Sequence, residues 1–498
     1  MESHDRSGGR YAPLDLSPEH FRAAGHALVD RVADLLATMR ARPVTAGLSV
    51  SDVRALVDVF GRMPDEGSDV DLVLSQATDL LTAHSLFNGH PKFLGYITSS
   101  PAPIGMLADL LAAAVNPNVG AWTLSPVATE IEAQTIRWIA ELLGYPEESS
   151  GLLVSGGNEA NFVGVYAALR AVFPRGGSER TLERMGKATI YASSETHTWI
   201  EKALDMFGLP PDALRSIRVD AARRLVLDDL AQRLAADVQD GRVPVAVIGT
   251  AGTVSTGAID PLPAMAALCR QHRVWFHVDG AYGGFAAMIP SAPDDIRGLA
   301  LADSVAVDPH KWLYAPLEAG CALVRDPAQH RAAFSYHPPY YNFGVEATNF
   351  VDYGPQNSRG FRALKVWMGL RQVGRRGYER MIADDIALAR ALYERLAADA
   401  RFEAATLSLS IATFRYVPEA YRHRSGDVAA EEYLNTLNKA LQGRLEVSGE
   451  LFVSNAVIDG RYLLRACIVN FRTSARDIAE IPDIIARHGE AIHTELQR

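Results

Sequence analysis

The chain has 498 residues, 48 % of them hydrophobic, and a formal net charge of −10. This length exceeds a single compact core, and at about 150 residues per domain it predicts roughly three units. The acidic balance disfavours nucleic acid and anionic membrane surfaces as partners, because both are negatively charged. The three cysteines form no CxxC pair, which disfavours disulfides and thiolate metal sites and is typical of a reducing compartment.

Two further observations concern location. Residues 1–10 are polar, so no secretory signal is expected there. No run of 18 apolar residues occurs, and the best candidate, residues 104–115, is shorter and contains Asp109. We therefore expect a soluble cytoplasmic protein that does not cross a membrane.

The first predicted elements are helices. Residues 17–19, Ser-Pro-Glu, combine an N-cap residue, a proline at the first helical position and an acidic first turn. Apolar residues then recur at helical spacing up to Arg42-Pro43, and shorter helical patterns follow at 50–60 and 70–83. Because no strand precedes these helices, they have little to pack on within their own domain. We expect residues 1–89 to form a helical arm that wraps a partner subunit.

From about residue 90 the pattern changes to short apolar strands that alternate with helices. The strands are predicted at 151–155, 188–191, 243–249, 274–278 and 304–307, and the helices at 158–172 and 261–272. Strands that are apolar on both faces and separated by helices indicate an α/β domain with a mostly parallel sheet. We expect this large domain to span residues 90–360.

The remainder of the chain predicts a loop and a second, smaller domain. Residues 331–360 are rich in aromatic residues and proline without periodicity, which is typical of a mobile functional loop. A long helical stretch follows at 361–399. Alternating patterns at 407–417 and 461–471 flank a helix at 431–441, which predicts a small α+β domain with an antiparallel sheet over residues 361–498.

Polar turns follow the predicted strands of the large domain, and ligands bind at this edge of open α/β sheets. Gly156-Gly157-Asn158 opens a helix and suits a phosphate, although it is equally a common structural turn. His197 follows the second strand and could stack on an aromatic ring or serve as a structural histidine. Thr250 closes the third strand, where a simple turn is the alternative.

Two further positions are more informative. Asp279 ends the fourth strand, where its carboxylate could hold a protonated ring nitrogen or cap a helix. Lys311 follows the fifth strand after a Pro309-His310 turn. A lysine beside a buried strand end is disfavoured unless it is paired or used covalently, and low polarity favours the neutral amine that imine formation with an aldehyde requires. A surface lysine is the alternative.

One cofactor accounts for all of these turns together. A phosphorylated aldehyde with a pyridine nitrogen would place its aldehyde at Lys311, its ring nitrogen at Asp279, its ring face at His197 and its phosphate at residues 156–158. The combination predicts pyridoxal 5′-phosphate (PLP). The full GxGxxG pattern of dinucleotide sites is absent, and no metal site is expected.

At these residues the chain resembles the group II PLP-dependent amino-acid decarboxylases, which include aromatic-L-amino-acid, histidine, glutamate and cysteine-sulfinate decarboxylases. The resemblance covers roughly residues 17–490. It rests on His90-Pro91-Lys92-Phe93, on residues 122–126 with Glu130 and Glu132, and on residues 155–160, 277–283 and 309–312. It implies PLP-dependent transferase fold type I and a homodimer whose active site is shared across the interface.

The resemblance also implies roles for single residues. Lys311 would form the Schiff base, with His310 beside the phosphate, Ala281 under the ring and Thr250 near the ring substituents. Ser99 would reach over from the partner subunit and, with Trp122, contact the substrate. After loss of CO2 a proton would return to Cα from His197 or from Tyr340 or Tyr341 in the loop.

The substrate stays open at this point. Residues 116–122 are small where aromatic decarboxylases have a bulky pocket wall, and Asn116-Pro117-Asn118 resembles the glutamate and sulfinate branch. We favour an aromatic or other bulky L-amino acid, converted to its amine and CO2. The alternatives are an aldehyde synthase and an acidic-amino-acid decarboxylase; the latter would require an arginine, for which the candidates are Arg359, Arg362 and Arg472.

Two alternatives come from other classes of protein, a nucleotide-dependent oxidoreductase and a scaffold without catalytic activity. One departure from the family also stands out. Members commonly have Asn before the Pro-His-Lys triplet, whereas this chain has Asp308. We expect this acid to change the hydrogen bonding close to the phosphate.

Overall fold

The computed structural model describes residues 12–176, 178–336, 347–424 and 426–498. The strands are β1 (Phe93–Leu94), β2 (Ser150–Val154), β3 (Ala188–Ser193), β4 (Leu214–Ile217), β5 (Val243–Thr250), β6 (Trp275–Asp279), β7 (Ser304–Val307), β8 (Gly320–Val324), β9 (Phe402–Ser408), β10 (Ile411–Tyr416), β11 (Phe452–Ile458) and β12 (Arg461–Cys467). The helices are α1 (Pro18–Thr38), α2 (Val50–Asp58), α3 (Val70–His84), α4 (Pro103–Val115), α5 (Pro126–Leu143), α6 (Gly157–Val172), α7 (Glu179–Met185), α8 (Trp199–Met206), α9 (Leu227–Gln239), α10 (Leu262–His272), α11 (Pro309–Trp312), α12 (Pro327–Phe334), α13 (Ala363–Ala398), α14 (Val428–Ser448) and α15 (Ala475–Leu496).

The three predicted N-terminal helices are confirmed as α1, α2 and α3. The Ser17 hydroxyl accepts the His20 amide N–H and caps α1, as its position before Pro18 predicts. Much of the apolar surface of these helices is exposed, Phe21 and Val50 included. Among the described residues, no helix is both long enough and apolar enough to cross a membrane.

The large sheet has seven described strands in the order β2-β8-β7-β6-β5-β3-β4. Its pairings from β4 to β7 are parallel, as predicted, whereas β8 runs antiparallel to both β2 and β7. The five predicted strands are confirmed, and β4 and β8 are additional. Because β8 is reversed, β2 points the same way as β5, β6 and β7. The turns after these four strands therefore lie at one edge of the sheet.

The second sheet has the order β1-β11-β12-β10-β9 and is antiparallel except for β1, which pairs parallel with β11. The predicted single pattern at 407–417 is wrong, because those residues belong to the hairpin β9–β10. Leu409 turns the chain there with a φ of 48°. The predicted helix at 431–441 lies within α14, and β11 was not predicted.

Two main clusters of apolar side chains form the interior. One surrounds the large sheet and includes Leu153, Val278 and Trp312. The other lies between the second sheet and helices α13 to α15. Leu94 belongs to this second cluster, so a short segment that precedes the large sheet in the chain is tied to the C-terminal part of the molecule.

Candidate active site

The residues that the sequence assigns to a cofactor line a single cavity. Its volume is about 500 Å³. The nine predicted cofactor residues that line it are Gly156, Gly157, Asn158, His197, Thr250, Asp279, Ala281, His310 and Lys311. They come from the turns after β2, β3, β5, β6 and β7, which the strand directions bring to one edge of the sheet.

Lys311 lies in α11, directly after β7. Its Nζ is 2.8 Å from Oδ2 of Asp308, and Nε2 of His310 is 3.5 Å from the same oxygen. Asp308 is buried, at 1 % exposure, and its Oδ1 has no hydrogen-bond partner among the described residues. The Ala319 amide donates to Nδ1 of His310, and burial lowers the pKa of this histidine. Lys311, the only amine among the described residues that line the cavity, is thus held by one buried carboxylate.

Asp279 is fixed by two donors at the end of β6. Trp199 Nε1 donates to its Oδ2 at 2.7 Å, and the Ala281 amide donates to its Oδ1 at 3.1 Å. Hydrogen bonds from two donors hold the orientation of a carboxylate. Asp279 therefore presents an oriented carboxylate to the cavity.

His197 has a defined tautomer. The Trp199 amide donates to its Nδ1 at 3.2 Å. Burial lowers the pKa of His197, against the opposing effect of the Asp279 charge, so the ring is neutral near neutral pH. Because Nδ1 accepts, the ring proton is on Nε2. His197 can donate that proton to a group in the cavity.

The glycine turn after β2 has no room for side chains. A Cβ on Gly157 would lie 2.8 Å from Asp308 Oδ2 and 2.9 Å from the Ala281 methyl group. A Cβ on Gly320, at the start of β8, would lie 2.6 Å from backbone atoms of Gly156. The start of α6, whose first N–H groups have no partner within the helix, lines the cavity at these glycines, which suits an anion.

Comparison with known proteins places the chain in a family. A model of the pyridoxal-dependent decarboxylase conserved domain matches residues 24–417. The chain belongs to this family. An aromatic-L-amino-acid decarboxylase from Bacillus atrophaeus is 30 % identical to this decarboxylase over 473 residues, which cover 94 % of this chain and 95 % of that protein.

Two further relatives complete the comparison. A phenylacetaldehyde synthase from a Rosa hybrid cultivar is 28 % identical over 490 residues, 96 % of this chain and 95 % of that protein. The crystal structure of Oryza sativa TDC with PLP and tryptamine has a TM-score of 0.89 at 26 % identity, and the match covers 97 % of this chain and 100 % of that one. The predicted fold type I, PLP as cofactor and amino-acid decarboxylase activity are thereby confirmed.

The residues of this decarboxylase fit PLP. Lys311 offers an amine for the aldehyde, Asp279 a carboxylate for the ring nitrogen, and the start of α6 offers N–H groups for the phosphate. Thr250 Oγ1 is buried in the cavity wall without a hydrogen-bond partner among the described residues, which fits a missing polar ligand. Asp308 is the exception, because a second anion beside the glycine turn does not favour a phosphate.

The predicted substrate residues are not brought together in the chain. Ser99 Oγ donates to the His310 carbonyl of its own chain at 2.7 Å and so holds the lysine turn; its role across subunits stays a prediction. Trp122 lines a different cavity, with Glu130 and Asn349, so the structure does not place it beside Lys311 within one chain. Tyr340 and Tyr341 lie outside the described residues.

The three candidate arginines have other contacts. Arg359 is buried, pairs with Glu132 and donates to the carbonyls of Val119 and Leu153. Arg362 pairs with Glu318 at the rim of the cavity. Arg472 packs over the Phe471 ring. None of the three is among the described lining residues.

Sequence reasoning missed two residues close to the site. Trp199, which holds Asp279, belongs to no recognised motif, although it lies two positions after His197. Arg465 of β12 is 3 % exposed, and its Nε and Nη2 have no hydrogen-bond partner among the described residues. Burial raises the pKa of Tyr282, a residue of the cavity wall, and the charge of Arg465 opposes this rise. A lone arginine in an alternating strand carries no signal that would have identified it.

Proposed function

We propose that this decarboxylase converts an aromatic or other bulky apolar L-amino acid to its amine and CO2. The observation that carries the proposal is that Lys311, Asp279 and His197 line the same cavity as the apolar side chains of Ile97, Val254 and Leu317. Relatives named as aromatic-L-amino-acid, tyrosine and tryptophan decarboxylases support this substrate class.

The proposed roles follow from the geometry. When bound, PLP supplies an electron-accepting ring that stabilises the negative charge left at Cα as the carboxylate departs. Asp279, oriented by Trp199 and Ala281, would keep a proton on the ring nitrogen. Lys311 would hold the cofactor and yield its place to the substrate amine. His197, after taking up a second proton from solvent, would donate a proton at Cα as an imidazolium and return to the neutral ring. Tyr340 or Tyr341 is the alternative donor for that proton.

An acidic substrate is less well supported. A second carboxylate in the substrate calls for a cation in the pocket, and arginine is the preferred partner because its donors match a carboxylate. The described lining residues contain no arginine, and Arg359 is already engaged by Glu132. This favours an apolar side chain over glutamate or cysteine sulfinate.

A second candidate product is an aldehyde. It is favoured by the phenylacetaldehyde synthases among the relatives, whose identities of 28 % and 29 % are close to those of the decarboxylases. In that reaction oxygen is consumed, and ammonia and hydrogen peroxide are released with CO2. The proposed protonation of Cα by His197 would favour the amine instead.

A substrate panel tests both proposals. The full-length enzyme, loaded with PLP, would be given L-tryptophan, L-tyrosine, L-phenylalanine, L-glutamate and L-cysteine sulfinate, with CO2, amine, ammonia and hydrogen peroxide measured for each. We expect CO2 and amine in equal amounts from one or more aromatic substrates. Turnover confined to the two acidic substrates would overturn the substrate proposal, and ammonia equal to CO2 would establish the aldehyde synthase.

We also propose a homodimer in which the N-terminal helices cover the partner. In α4 the exposed side chains of Leu107, Leu110, Leu111 and Val115 follow helical spacing and form an apolar stripe. The helices α1, α2 and α3 also carry exposed apolar residues. An exposed apolar stripe of this kind is typical of a subunit interface.

Light scattering tests the dimer. The double substitution Leu107→Asp, Leu111→Asp should shift the mass from dimer to monomer, because it places charges in an apolar interface. Val238→Asp in α9 is a matched control, since Val238 is similarly exposed. A wild-type monomer would refute the proposal.

The domain boundaries at 89/90 and 360/361 and the cytoplasmic location also remain proposals. The three cysteines, Cys269, Cys321 and Cys467, are free and buried, which supports a reducing compartment.

A further inference from the structure

The strongest unexplained feature of the cavity is the carboxylate of Asp308. Its side chain is 2 % exposed, its Oδ2 lies 2.8 Å from Lys311 Nζ, and its Oδ1 has no hydrogen-bond partner among the described residues. A buried carboxylate is costly unless it is fully paired and hydrogen-bonded.

The position of Asp308 relates two parts of the site. Oδ2 contacts Lys311, the lysine that would receive the aldehyde. The same oxygen would lie 2.8 Å from a Cβ atom added at Gly157, in the turn that suits the phosphate. Nε2 of His310 is 3.5 Å away. Asp308 therefore lies between the amine and the anion-binding turn.

The other charged groups of the cavity have different partners. Asp279 accepts from Trp199 and Ala281, and Glu318 pairs with Arg362 and is half-exposed. His197 is held by the Trp199 amide. Asp308 is thus the one described carboxylate in ion-pair contact with Lys311.

We propose that Asp308 is a positioning residue that holds Lys311 in an ion pair and thereby limits the rate at which the cofactor is loaded. The inference rests on the proposed role of Lys311. The ion pair between Asp308 and Lys311 must open before the amine can react. Loading of the cofactor is therefore slower, but the lysine side chain is already in position when the cofactor arrives.

The covalent step explains the limit on rate. The ammonium must leave Asp308 and give a proton to solvent. The neutral nitrogen then attacks the aldehyde carbon, a C=N bond forms, and the aldehyde oxygen leaves as water. No oxidant or reductant is needed. Because the ion pair must open first, removal of the carboxylate should speed this step.

The test uses full-length enzyme stripped of cofactor, with loading followed by absorbance and by mass spectrometry of Lys311 after borohydride reduction. Asp308→Asn should accelerate loading at neutral pH by about 10-fold, because no ion pair has to open before the amine reacts; a 10-fold change corresponds to about 1.4 kcal/mol. The acceleration should occur with pyridoxal, which lacks the phosphate, as well as with PLP; any further gain with PLP alone would come from removing the repulsion between Asp308 and the phosphate. Asp308→Glu, which keeps the charge, should load no faster than the wild type.

Controls separate the outcomes. Asp109→Asn removes the carboxylate of a second Lys–Asp pair, with Lys365, outside the cavity and should leave loading unchanged. Asp308→Ser is a second neutral variant if Asp308→Asn fails to fold. Acceleration with PLP alone would show that Asp308 acts on the phosphate and would overturn the inference, as would unchanged rates in both neutral variants. A wild type that forms no adduct at Lys311 would instead contradict the role of Lys311.

Discussion

Two ion pairs of this molecule join the same kinds of groups in different surroundings. Arg359 and Glu132 are at most 1 % exposed; Arg359 also donates to two backbone carbonyls, and Glu132 Oε1 accepts the Leu153 amide. Lys311 and Asp308 lie at the wall of a cavity, and Asp308 keeps one oxygen without a partner among the described residues. Hydrogen bonds to the backbone therefore hold both members of the first pair. The second lies at the cavity that we propose for the cofactor.

The contrast between the two ion pairs shows how structural charges differ from reactive ones. Burial alone does not distinguish the two pairs, because Asp308 is almost as buried as Glu132. What distinguishes them is the number of further hydrogen bonds and the contact with a cavity. A buried charge with incomplete hydrogen bonding beside a cavity is a candidate for chemistry.

The largest effect on activity should come from the Lys311–Asp308 pair. Lys311→Ala should reduce CO2 release by a factor on the order of 10³ or more, because the amine that holds the cofactor is lost. Circular dichroism should show that the variant stays folded. Turnover within tenfold of the wild type would contradict the catalytic assignment.

The Arg359–Glu132 pair should instead contribute to the stability of the fold. Arg359→Ala leaves Glu132 buried without a cation and should lower the free energy of unfolding by about 3–5 kcal/mol, measured by urea denaturation. Arg359→Lys keeps the charge but loses the two-pronged geometry, so its loss should be smaller. The comparison between the pairs would fail if Arg359→Ala cost less than about 1 kcal/mol.

Asp385 is a buried carboxyl without an ion-pair partner in the described structure. Asp385 accepts from Tyr314 and Trp312, and burial raises its pKa to about 7. Between about pH 4 and pH 7 the folded protein then binds more protons here than the unfolded chain does, so this group makes stability fall as the pH rises. Asp385→Asn should remove that fall.

Urea denaturation over this pH range measures the effect. The variant should gain on the wild type by up to about 1.4 kcal/mol per pH unit and level off above pH 7. Parallel curves for the two proteins would show that Asp385 does not titrate in this range.

The smallest effect concerns the support of Asp279. Trp199→Phe keeps the ring but removes the Nε1–H that donates to Oδ2, and it should lower kcat/KM by about tenfold, the value of one charge-assisted hydrogen bond. Trp275→Phe removes a similar bond to Ser304 outside the cavity and should leave kcat/KM unchanged. Equal losses in both variants would indicate a general effect on packing.

The site could be predicted from the sequence to the extent that it follows strand ends. Gly156, His197, Asp279 and Lys311 each come soon after an apolar strand, and strands of one direction end at one edge. Trp199 and the engagement of Arg359 could not be predicted, because their bonds join positions 80 and 227 residues apart. Such contacts depend on tertiary packing rather than on local pattern.

The fold was predictable where apolar runs are bounded by turn residues. The sequence of the hairpin β9–β10 predicts a single strand, because its turn at Leu409 has a positive φ without glycine or asparagine. Only the four-residue helix α11 separates strand β8 from β7, which is too short for the crossover that a parallel strand requires. The reversed direction of β8 is what aligns the β2 turn with the others.

The pairing of Phe93–Leu94 with Phe452–Val453 has a consequence for how the chain is made. On the ribosome β1 emerges early, and the strand it pairs with emerges only after most of the chain has been synthesised. Until then its backbone groups have no sheet partner, and Phe93 cannot stack on Phe452. Completion of the second sheet is therefore a late, long-range event in folding. A truncated chain that ends before β11 would retain the cavity residues and leave this early segment unpaired.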